Sequence, residues 1–226
     1  MNNLEPYPSL LKELHNKEYE AYFVGGCVRN FLLKRKIDDV DIATNAPVEE
    51  IMEIFKRFKL NKIGIAFFSV SFTYKRKPIT ITPFRYEGKY IKHRYPSSVS
   101  YTDDIKVDAK RRDFTMNALY MDDEKNIIDF YDGQQHIKQK LLVSVKNPDR
   151  SMAEDSLRIL RALRFVVVYN LRLDEPLERS IRQHASLVNR LSRHTLDLEV
   201  RKLQEQATVD QQTEYYKLLV KYNIKM

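Results

Sequence analysis

The residues from Gly25 to Asp41 combine types that bind triphosphates and divalent cations. Only five glycines occur in 226 residues, yet Gly25 and Gly26 are adjacent, and Arg29 follows them. A glycine pair between a strand and a helix lets backbone N–H groups approach phosphate oxygens, and an arginine adds positive charge. The pattern indicates a phosphate-binding turn; the alternative is a glycine pair that only relieves steric crowding.

Asp39 and Asp41 are candidate ligands of magnesium. Alternate residues of a strand project to the same face, so the two carboxylates would lie side by side while Val40 and Ile42 face the core. Carboxylates that close repel each other unless a cation lies between them, and Mg²⁺ completes its shell with water and phosphate oxygens. Two such ions can hold the attacking hydroxyl and the leaving pyrophosphate in an in-line displacement. The alternative is a solvated turn at a strand edge.

Short elements of mixed type must position these residues. Hydrophobic periodicity predicts helices over residues 5–17 and 28–34 and strands over 21–24 and 40–42, with Pro47 opening a further helix. Alternating runs over residues 67–74 and 79–84 predict a hairpin with a basic tip. Residues 86–107 are polar and tyrosine-rich, and we expect a mobile loop there.

Beyond about residue 150 the strand signals largely disappear and helical periodicity dominates. The sequence therefore predicts an α+β head over residues 1–147 and an all-helical part over residues 148–226. The boundary is expected near Asn147-Pro148.

Composition sets the broad class. Lysine and arginine total 39 against 31 acidic residues, giving a formal charge of +8, which slightly favours a polyanionic partner. The single Cys27 excludes an internal disulfide and indicates a reducing cytosol. No signal peptide and no apolar run of about 18–20 residues are found, so we expect a cytoplasmic protein without a membrane span, monomeric or weakly oligomeric.

The segment from Gly25 to Thr44 resembles motif A of the class II nucleotidyltransferases, which comprise tRNA CCA-adding enzymes and bacterial poly(A) polymerases. Further segments are similar to the later motifs of this family, in the same order: residues 111–119, 129–133, 154–165 and 190–203. The resemblance implies a polymerase-β-like nucleotidyltransferase palm, a mixed sheet with flanking helices, followed by a helical neck.

The resemblance also implies site residues. It assigns Asp39 and Asp41 to catalysis through Mg²⁺, with two ions expected. It assigns the following residues to the incoming CTP or ATP: Gly25, Gly26, Arg29, Arg111, Arg112, Asp113, Asn117, Asp155, Arg158, Arg161 and Arg164. The implied partner is the tRNA 3′ end.

Asp155, Arg158, Arg161 and Arg164 recur every third residue, which forms a slowly winding stripe on a helix. In the family this stripe, chiefly Asp155 and Arg158, pairs with the base edge. On their pairing edge, C and A carry an exocyclic amine, which donates a hydrogen bond to a carboxylate. U and G carry a carbonyl at the same position. The alternative for the stripe alone is a surface row of intrahelical ion pairs.

Three departures from the family pattern matter. Asn30 replaces a common aspartate, and Thr80 stands where many members carry glutamate, so any third carboxylate is unidentified. The chain also stops at Met226, where members usually continue with helices that hold tRNA. Besides CCA addition, the sequence leaves open a CC-, A- or poly(A)-adding relative, a non-catalytic RNA-binding remnant, a subunit that needs a partner, and a piece of a longer protein.

Overall fold

The structure is a computed structural model that describes residues 4–61 and 68–225. The chain forms two compact units that each draw on separate stretches of sequence. The first comprises residues 1–86, 99–112 and 116–134, and the second residues 87–98, 113–115 and 135–226. The predicted domain boundary near Asn147-Pro148 stays a prediction; a helix begins at Pro148.

The described residues form short strands and helices. The strands are β1 Ala21–Val24, β2 Val40–Thr44, β3 Val70–Tyr74, β4 Lys77–Pro83, β5 Arg85–Glu87, β6 Tyr90–Ile91, β7 Tyr95–Pro96, β8 Val99–Tyr101, β9 Leu119–Met121, β10 Ile127–Asp129, β11 Leu141–Leu142 and β12 Arg172–Leu173. The α-helices are α1 Pro8–His15, α2 Gly26–Leu32, α3 Val48–Ile54, α4 Ile105–Lys110, α5 Gly133–Lys138, α6 Pro148–Glu154, α7 Leu157–Tyr169, α8 Glu175–His184, α9 Arg193–Gln206 and α10 Val209–Lys221. Among the described residues, 3₁₀ helices also span Thr115–Asn117 and Ala185–Arg190.

Six strands of the first unit form a mixed sheet in the order β10-β9-β1-β2-β4-β3. Neighbouring strands are antiparallel except β2 and β4, which run parallel. Strand β2 is therefore internal to the sheet. Its Val40 and Ile42 are buried and Asp41 is half-buried, as the alternation in the sequence predicts.

Helices α1, α2 and α3 confirm the predicted helices of the head, with changed bounds. Helix α2 begins at Gly26, two residues before the first apolar position of the pattern. Pro47 is the N-cap of α3, and Glu49 and Glu50 lie in its first turn, where the helix dipole favours acidic side chains. The predicted hairpin is also present, with Lys75 and Arg76 at its turn. Its predicted first residue, Phe67, lies outside the described residues.

The prediction of a loop over residues 86–107 is wrong in part. Strand β5 pairs with β8, β6 pairs with β7, and α4 begins at Ile105, capped by the Asp104 carboxylate. Lys92 and His93, both with φ of 53°, form the turn between β6 and β7. Strands this short carry too few residues for a periodic signal, so the sequence pattern did not reveal them.

The predicted helical part from residue 148 onward consists mainly of helices α6 to α10, but it is not all-helical, because strand β12 interrupts it. Helix α7 is its most buried element, with Ile159, Leu160 and Leu163 fully shielded from solvent. Of α10, Tyr215 and Leu219 are buried, whereas Val220 is 81% exposed. Among the helices of residues 4–61 and 68–225, none has the length and apolar character that crossing a membrane requires.

Candidate functional site

The Gly25 turn brings together three residues that the sequence places far apart. Gly25 has φ of +71° and caps α2, a left-handed conformation that favours glycine. A Cβ atom on Gly25 would lie 3.7 Å from Nη1 of Arg112 and 3.7 Å from Oδ2 of Asp41. The glycine turn therefore lies close to two predicted site residues. One is Arg112, assigned to the phosphates, and the other is Asp41, assigned to the metal.

Asp39 and Asp41 differ in their local structure. Strand β2 begins at Val40, so Asp39 lies exposed just before it and Asp41 lies within it. The strand predicted over residues 40–42 is present, but Asp39 lies just outside it, so the side-by-side placement of the two carboxylates stays a prediction. Burial, with smaller contributions from the Asp41 and Asp39 carboxylates, raises the pKa of the Cys27 thiol to about 12. Both carboxylates thus act on the same buried thiol, which stays protonated at neutral pH and is no thiolate ligand.

The donor set around Asp41 suits magnesium. Thr80 is the register partner of Asp41 on β4, so the neighbouring strand contributes a hydroxyl and not a third carboxylate. Within the described residues, no cluster of three histidine, cysteine or acidic side chains could hold a metal ion. Two carboxylates fit Mg²⁺ because this ion is usually bound by one or two carboxylates together with water and substrate phosphates.

Arg29 is buried and oriented by two amide oxygens. Its Nη1 donates to Oδ1 of Asn117 over 2.7 Å, and its Nε and Nη2 donate to Oδ1 of Asn30 over 3.1 and 3.0 Å. The amide nitrogen of Asn30 in turn donates to the Lys36 carbonyl oxygen. Asparagine at position 30 therefore positions Arg29 through its side-chain oxygen, and the predicted residues Arg29 and Asn117 are in direct contact.

A buried carboxylate that the sequence analysis missed holds Arg111 and Arg112. Asp108 is fully buried and accepts hydrogen bonds from Nε of Arg111 at 2.8 Å, Nη2 of Arg112 at 2.9 Å and the Tyr120 hydroxyl at 2.6 Å. The backbone N–H of Arg85 donates to the same carboxylate. Although burial opposes ionisation, the two guanidinium groups and these hydrogen bonds hold the pKa of Asp108 well below its ordinary value.

The spacing of Asp108, Arg111 and Arg112 was the available signal for this cluster. Residues three and four apart meet on one helical face, and α4 begins at Ile105. Tyr120, which donates to Asp108, and Phe84, which belongs to the same core cluster as Tyr120 and Ala109, lie elsewhere in the sequence. A helix-spaced acidic residue next to two arginines is also typical of a solvated ion pair, so the sequence alone did not distinguish the two.

In the second unit, Asp155 lies at the junction of α6 and α7. Its Oδ2 accepts from Nη1 of Arg94 over 2.8 Å, and its Oδ1 accepts from the Leu157 N–H over 3.1 Å. Burial raises the pKa of Asp155 above its ordinary value, although Arg94 and Arg158 act in the opposite direction. Arg94 was not among the predicted site residues.

Arg158 is buried beside Asp155. Its Nε lies 4.0 Å from Oδ2 of Asp155, and its Nη1 donates to the Ser151 hydroxyl over 2.8 Å. Its guanidinium carbon lies 5.8 Å from the centre of the Tyr90 ring. The structure therefore brings together the two residues that the sequence analysis gave the chief role in base recognition.

The other two arginines of the predicted stripe have separate partners. Arg161 donates from Nε to Oδ2 of Asp113 over 2.8 Å. Arg164 is 2% exposed and donates to Glu199, also 2% exposed, and to Gln206, both over 2.6 Å. These contacts join α7 to α9, and the assignment of Arg164 to the nucleotide stays a prediction.

Known proteins resemble this chain over most of its length. Residues 21–143 match the family model of the poly(A) polymerase head domain. The CCA-adding enzyme of Geobacillus kaustophilus is 40% identical over 194 residues, a match that covers 86% of this chain and 48% of the relative. The chain thus spans about half the length of the curated relatives that it matches.

Solved structures confirm the predicted fold class. The CCA-adding enzyme of Bacillus stearothermophilus in complex with CTP matches with a TM-score of 0.79 and 36% identity, over 87% of this chain and 47% of the other. The Thermotoga maritima CCA-adding enzyme complexed with tRNA(CCA) matches with a TM-score of 0.77 and 27% identity, over 96% and 50% of the two chains. The mixed sheet followed by helices is the arrangement that the sequence predicted.

We expect Asp108→Asn to destabilise the folded chain by about 3–5 kcal/mol at pH 7, because it leaves two guanidinium groups without their buried counter-charge. Since the folded-state pKa of Asp108 is depressed, its stabilisation is present above the unfolded pKa of about 4 and is lost as pH falls through the folded value. Urea unfolding at pH 7 and pH 3 measures this, and the difference between wild type and variant should narrow at pH 3. Asp103→Asn, at an exposed position in the preceding turn, is the matched control. Equal stability of wild type and Asp108→Asn at pH 7 would contradict the assignment.

Proposed function

The chain belongs to the poly(A) polymerase head-domain family, and from this membership we propose that it adds CCA to tRNA 3′ ends, using CTP and ATP without a nucleic-acid template. The observation that carries the proposal is 40% identity to a CCA-adding enzyme over 86% of this chain. Because the chain spans about half of that relative, activity, substrates and partner are all part of the proposal. The contact of Gly25 with Asp41 and Arg112 supports it chemically.

In this proposal the first unit handles the triphosphate and the metal. Asp39 and Asp41 would hold Mg²⁺, which supplies charge neutralisation and orients the reacting oxygens when it is bound. The RNA 3′-hydroxyl oxygen forms a bond to the α-phosphorus of the nucleotide, the bond from that phosphorus to pyrophosphate breaks, and the hydroxyl proton passes to solvent water. Arg112, held in place by Asp108, directs its Nη1 toward the Gly25 turn, where it would contact negative phosphate oxygens.

Gly25, Gly26 and Arg29 complete the proposed phosphate site. The left-handed turn at Gly25 leaves backbone space next to Asp41, and a Cβ on Gly26 would lie 3.5 Å from Nη2 of Arg29. Asn117 orients this guanidinium and so acts on the phosphates indirectly. Arg111 donates to the same Asp108 carboxylate that holds Arg112.

We assign the choice of base to Asp155 and Arg158 of the second unit. An ionised Asp155 accepts from the exocyclic amine of C or A, and Arg158 donates to a ring nitrogen or carbonyl oxygen on the same edge. The carbonyl that U and G present at that position would face the carboxylate and repel it. Arg161 and Asp113 pair with each other and would support this helix face, and Arg164 would support it through its buried contacts with Glu199 and Gln206.

Related outputs remain distinct outcomes of the test. They are addition of CC alone, of A alone or of a poly(A) tail, and RNA binding without catalysis or with a required partner subunit. The cytoplasmic location and the monomeric or weakly oligomeric state also stay predictions.

Product sizing tests the proposed function. The chain is incubated with Mg²⁺ and a tRNA that ends at its discriminator base, with CTP and ATP separately and together. We expect growth by three nucleotides only when both are present, and growth by two with CTP alone. Long adenosine tails would support a poly(A) polymerase, and no extension by the chain alone would contradict the proposal.

We expect Asp41→Asn to lower the rate of nucleotide transfer by more than about a hundredfold, because a metal ligand should matter more than the outer contacts whose loss costs 10–100-fold. Unfolding by urea should show that the variant is folded. Asp38→Asn, an exposed neighbour paired with Lys36, is the control and should retain full activity. An active Asp41→Asn variant would remove the metal assignment.

Arg158→Ala should lower the preference for CTP and ATP over UTP and GTP by about tenfold, because one of two groups that recognise the base edge is gone. The ratio of kcat/KM between nucleotides is the measurement, since it separates base choice from a general loss of rate. Arg179→Ala, which removes an exposed arginine paired with Glu175, is the matched control. Unchanged selectivity in the folded Arg158→Ala variant would count against base reading by this residue.

A further inference from the structure

His93 occupies the turn of the short hairpin formed by β6 and β7. Its φ of 53° is a left-handed conformation in which histidine occurs more often than most residues. The next residue, Arg94, donates to Oδ2 of Asp155 over 2.8 Å. The hairpin turn therefore lies directly against the carboxylate to which we assigned base choice.

His93 binds the α6–α7 junction on both sides of Asp155. Its ring Nδ1 lies 2.7 Å from the carbonyl oxygen of Ala153, near the end of α6. Its own carbonyl oxygen accepts from the backbone N–H of Ser156, the N-cap of α7, over 2.9 Å. The last carbonyls and first N–H groups of helices lack intrahelical partners, so one residue here satisfies a group at each end.

The partners of the ring fix its protonation. A carbonyl oxygen only accepts, so Nδ1 of His93 must carry a proton toward Ala153. A guanidinium only donates, so Nε2 must accept from Nη1 of Arg190, which lies 2.9 Å away. The geometry therefore requires a neutral imidazole in the Nδ1–H form. The contact with Ala153 is the more shielded of the two, because Arg190 is exposed.

We propose that His93 is a positioning residue for base selection. As a neutral Nδ1–H imidazole it fixes residues 153 and 156, and thereby the backbone on both sides of Asp155, while its turn delivers Arg94 to the carboxylate. This inference rests on the proposed function, because it assumes that Asp155 reads the base. It adds a residue outside the predicted site and gives the hairpin a defined task.

Two substitutions at His93 separate positioning from simple packing. His93→Asn keeps an amide donor at the level of Nδ1 and tolerates the left-handed turn, so it should keep the contact with Ala153. His93→Leu keeps bulk but removes the donor. Lys92→Arg, at the exposed neighbouring turn position, is the control.

We expect His93→Leu to lower the ratio of kcat/KM for CTP and ATP over UTP and GTP by about tenfold, as Arg158→Ala does, and His93→Asn to restore most of it. Should His93→Leu fail to fold, His93→Gln replaces it, since its amide extends past the Nδ1 position. A folded Leu or Gln variant with wild-type selectivity overturns the proposal.

Nitrogen-15 NMR of the imidazole rings gives a readout independent of turnover. The spectrum of the wild type, assigned by comparison with His93→Asn, should show a protonated Nδ1 and an unprotonated Nε2 for His93 at neutral pH. If the spectrum shows the opposite tautomer, Nδ1 of His93 does not donate to the Ala153 carbonyl, and the proposal is overturned even if the variants change selectivity. If the wild type transfers no nucleotide, the proposed function is overturned, and base selection by His93 with it. If the wild type selects CTP and ATP and the His93→Leu variant selects them equally well, only the role of His93 is overturned.

Discussion

The position of Arg112 at the candidate phosphate site depends on a buried carboxylate. Asp108 is fully buried and accepts from Nη2 of Arg112 over 2.9 Å. A Cβ atom on Gly25 would lie 3.7 Å from Nη1 of the same guanidinium and 3.7 Å from Oδ2 of Asp41. Because Asp108 is shielded from water, its charge must be balanced inside the fold, and the guanidinium groups of Arg111 and Arg112 do this. Asp108 therefore fixes a positive charge next to the glycine turn.

The hydrogen bonds of Tyr120 connect this arrangement to the core. Its hydroxyl donates to Asp108 and accepts from Nε of Arg112 over 3.0 Å, while its ring packs with Val24, Ala43 and Phe84. Burial, together with the neighbouring carboxylate, raises the pKa of Tyr120, so it stays a neutral donor. Strand β9, which carries Tyr120, pairs with β1, which leads into the Gly25 turn. The sheet thus positions both the glycine turn and the group that fixes Arg112.

Sequence reasoning succeeded where the determinant was local. The adjacent glycines and the alternation of β2 each follow from a few consecutive residues, and both are found as predicted for Gly25 and Asp41. The stripe on α7 shows the limit. Its spacing predicted one row, but Arg161 pairs with Asp113 and Arg164 with Glu199, partners that are 48 and 35 residues away. Helical spacing predicts which side chains share one face of the helix, but it does not predict which other element packs against each of them. The ion-pair partners of Arg161 and Arg164 could therefore be identified only from the structure.

The same limit explains why the sequence did not reveal the contacts that Arg94 and His93 make at the α6–α7 junction, and these contacts affect Asp155. Burial alone would favour the protonated carboxyl. A protonated carboxyl donates a hydrogen bond, so it would bind the carbonyl oxygen of U or G. Arg94 and the Leu157 N–H both donate to the carboxylate and favour its ionised form, which can only accept. In the proposed function, the preference for an amine-bearing base would therefore depend on the balance between burial, which favours the protonated form, and these donors, which favour the ionised form. Arg94, one of these donors, lies on the β6–β7 hairpin, whose strands are too short to give a periodic signal in the sequence.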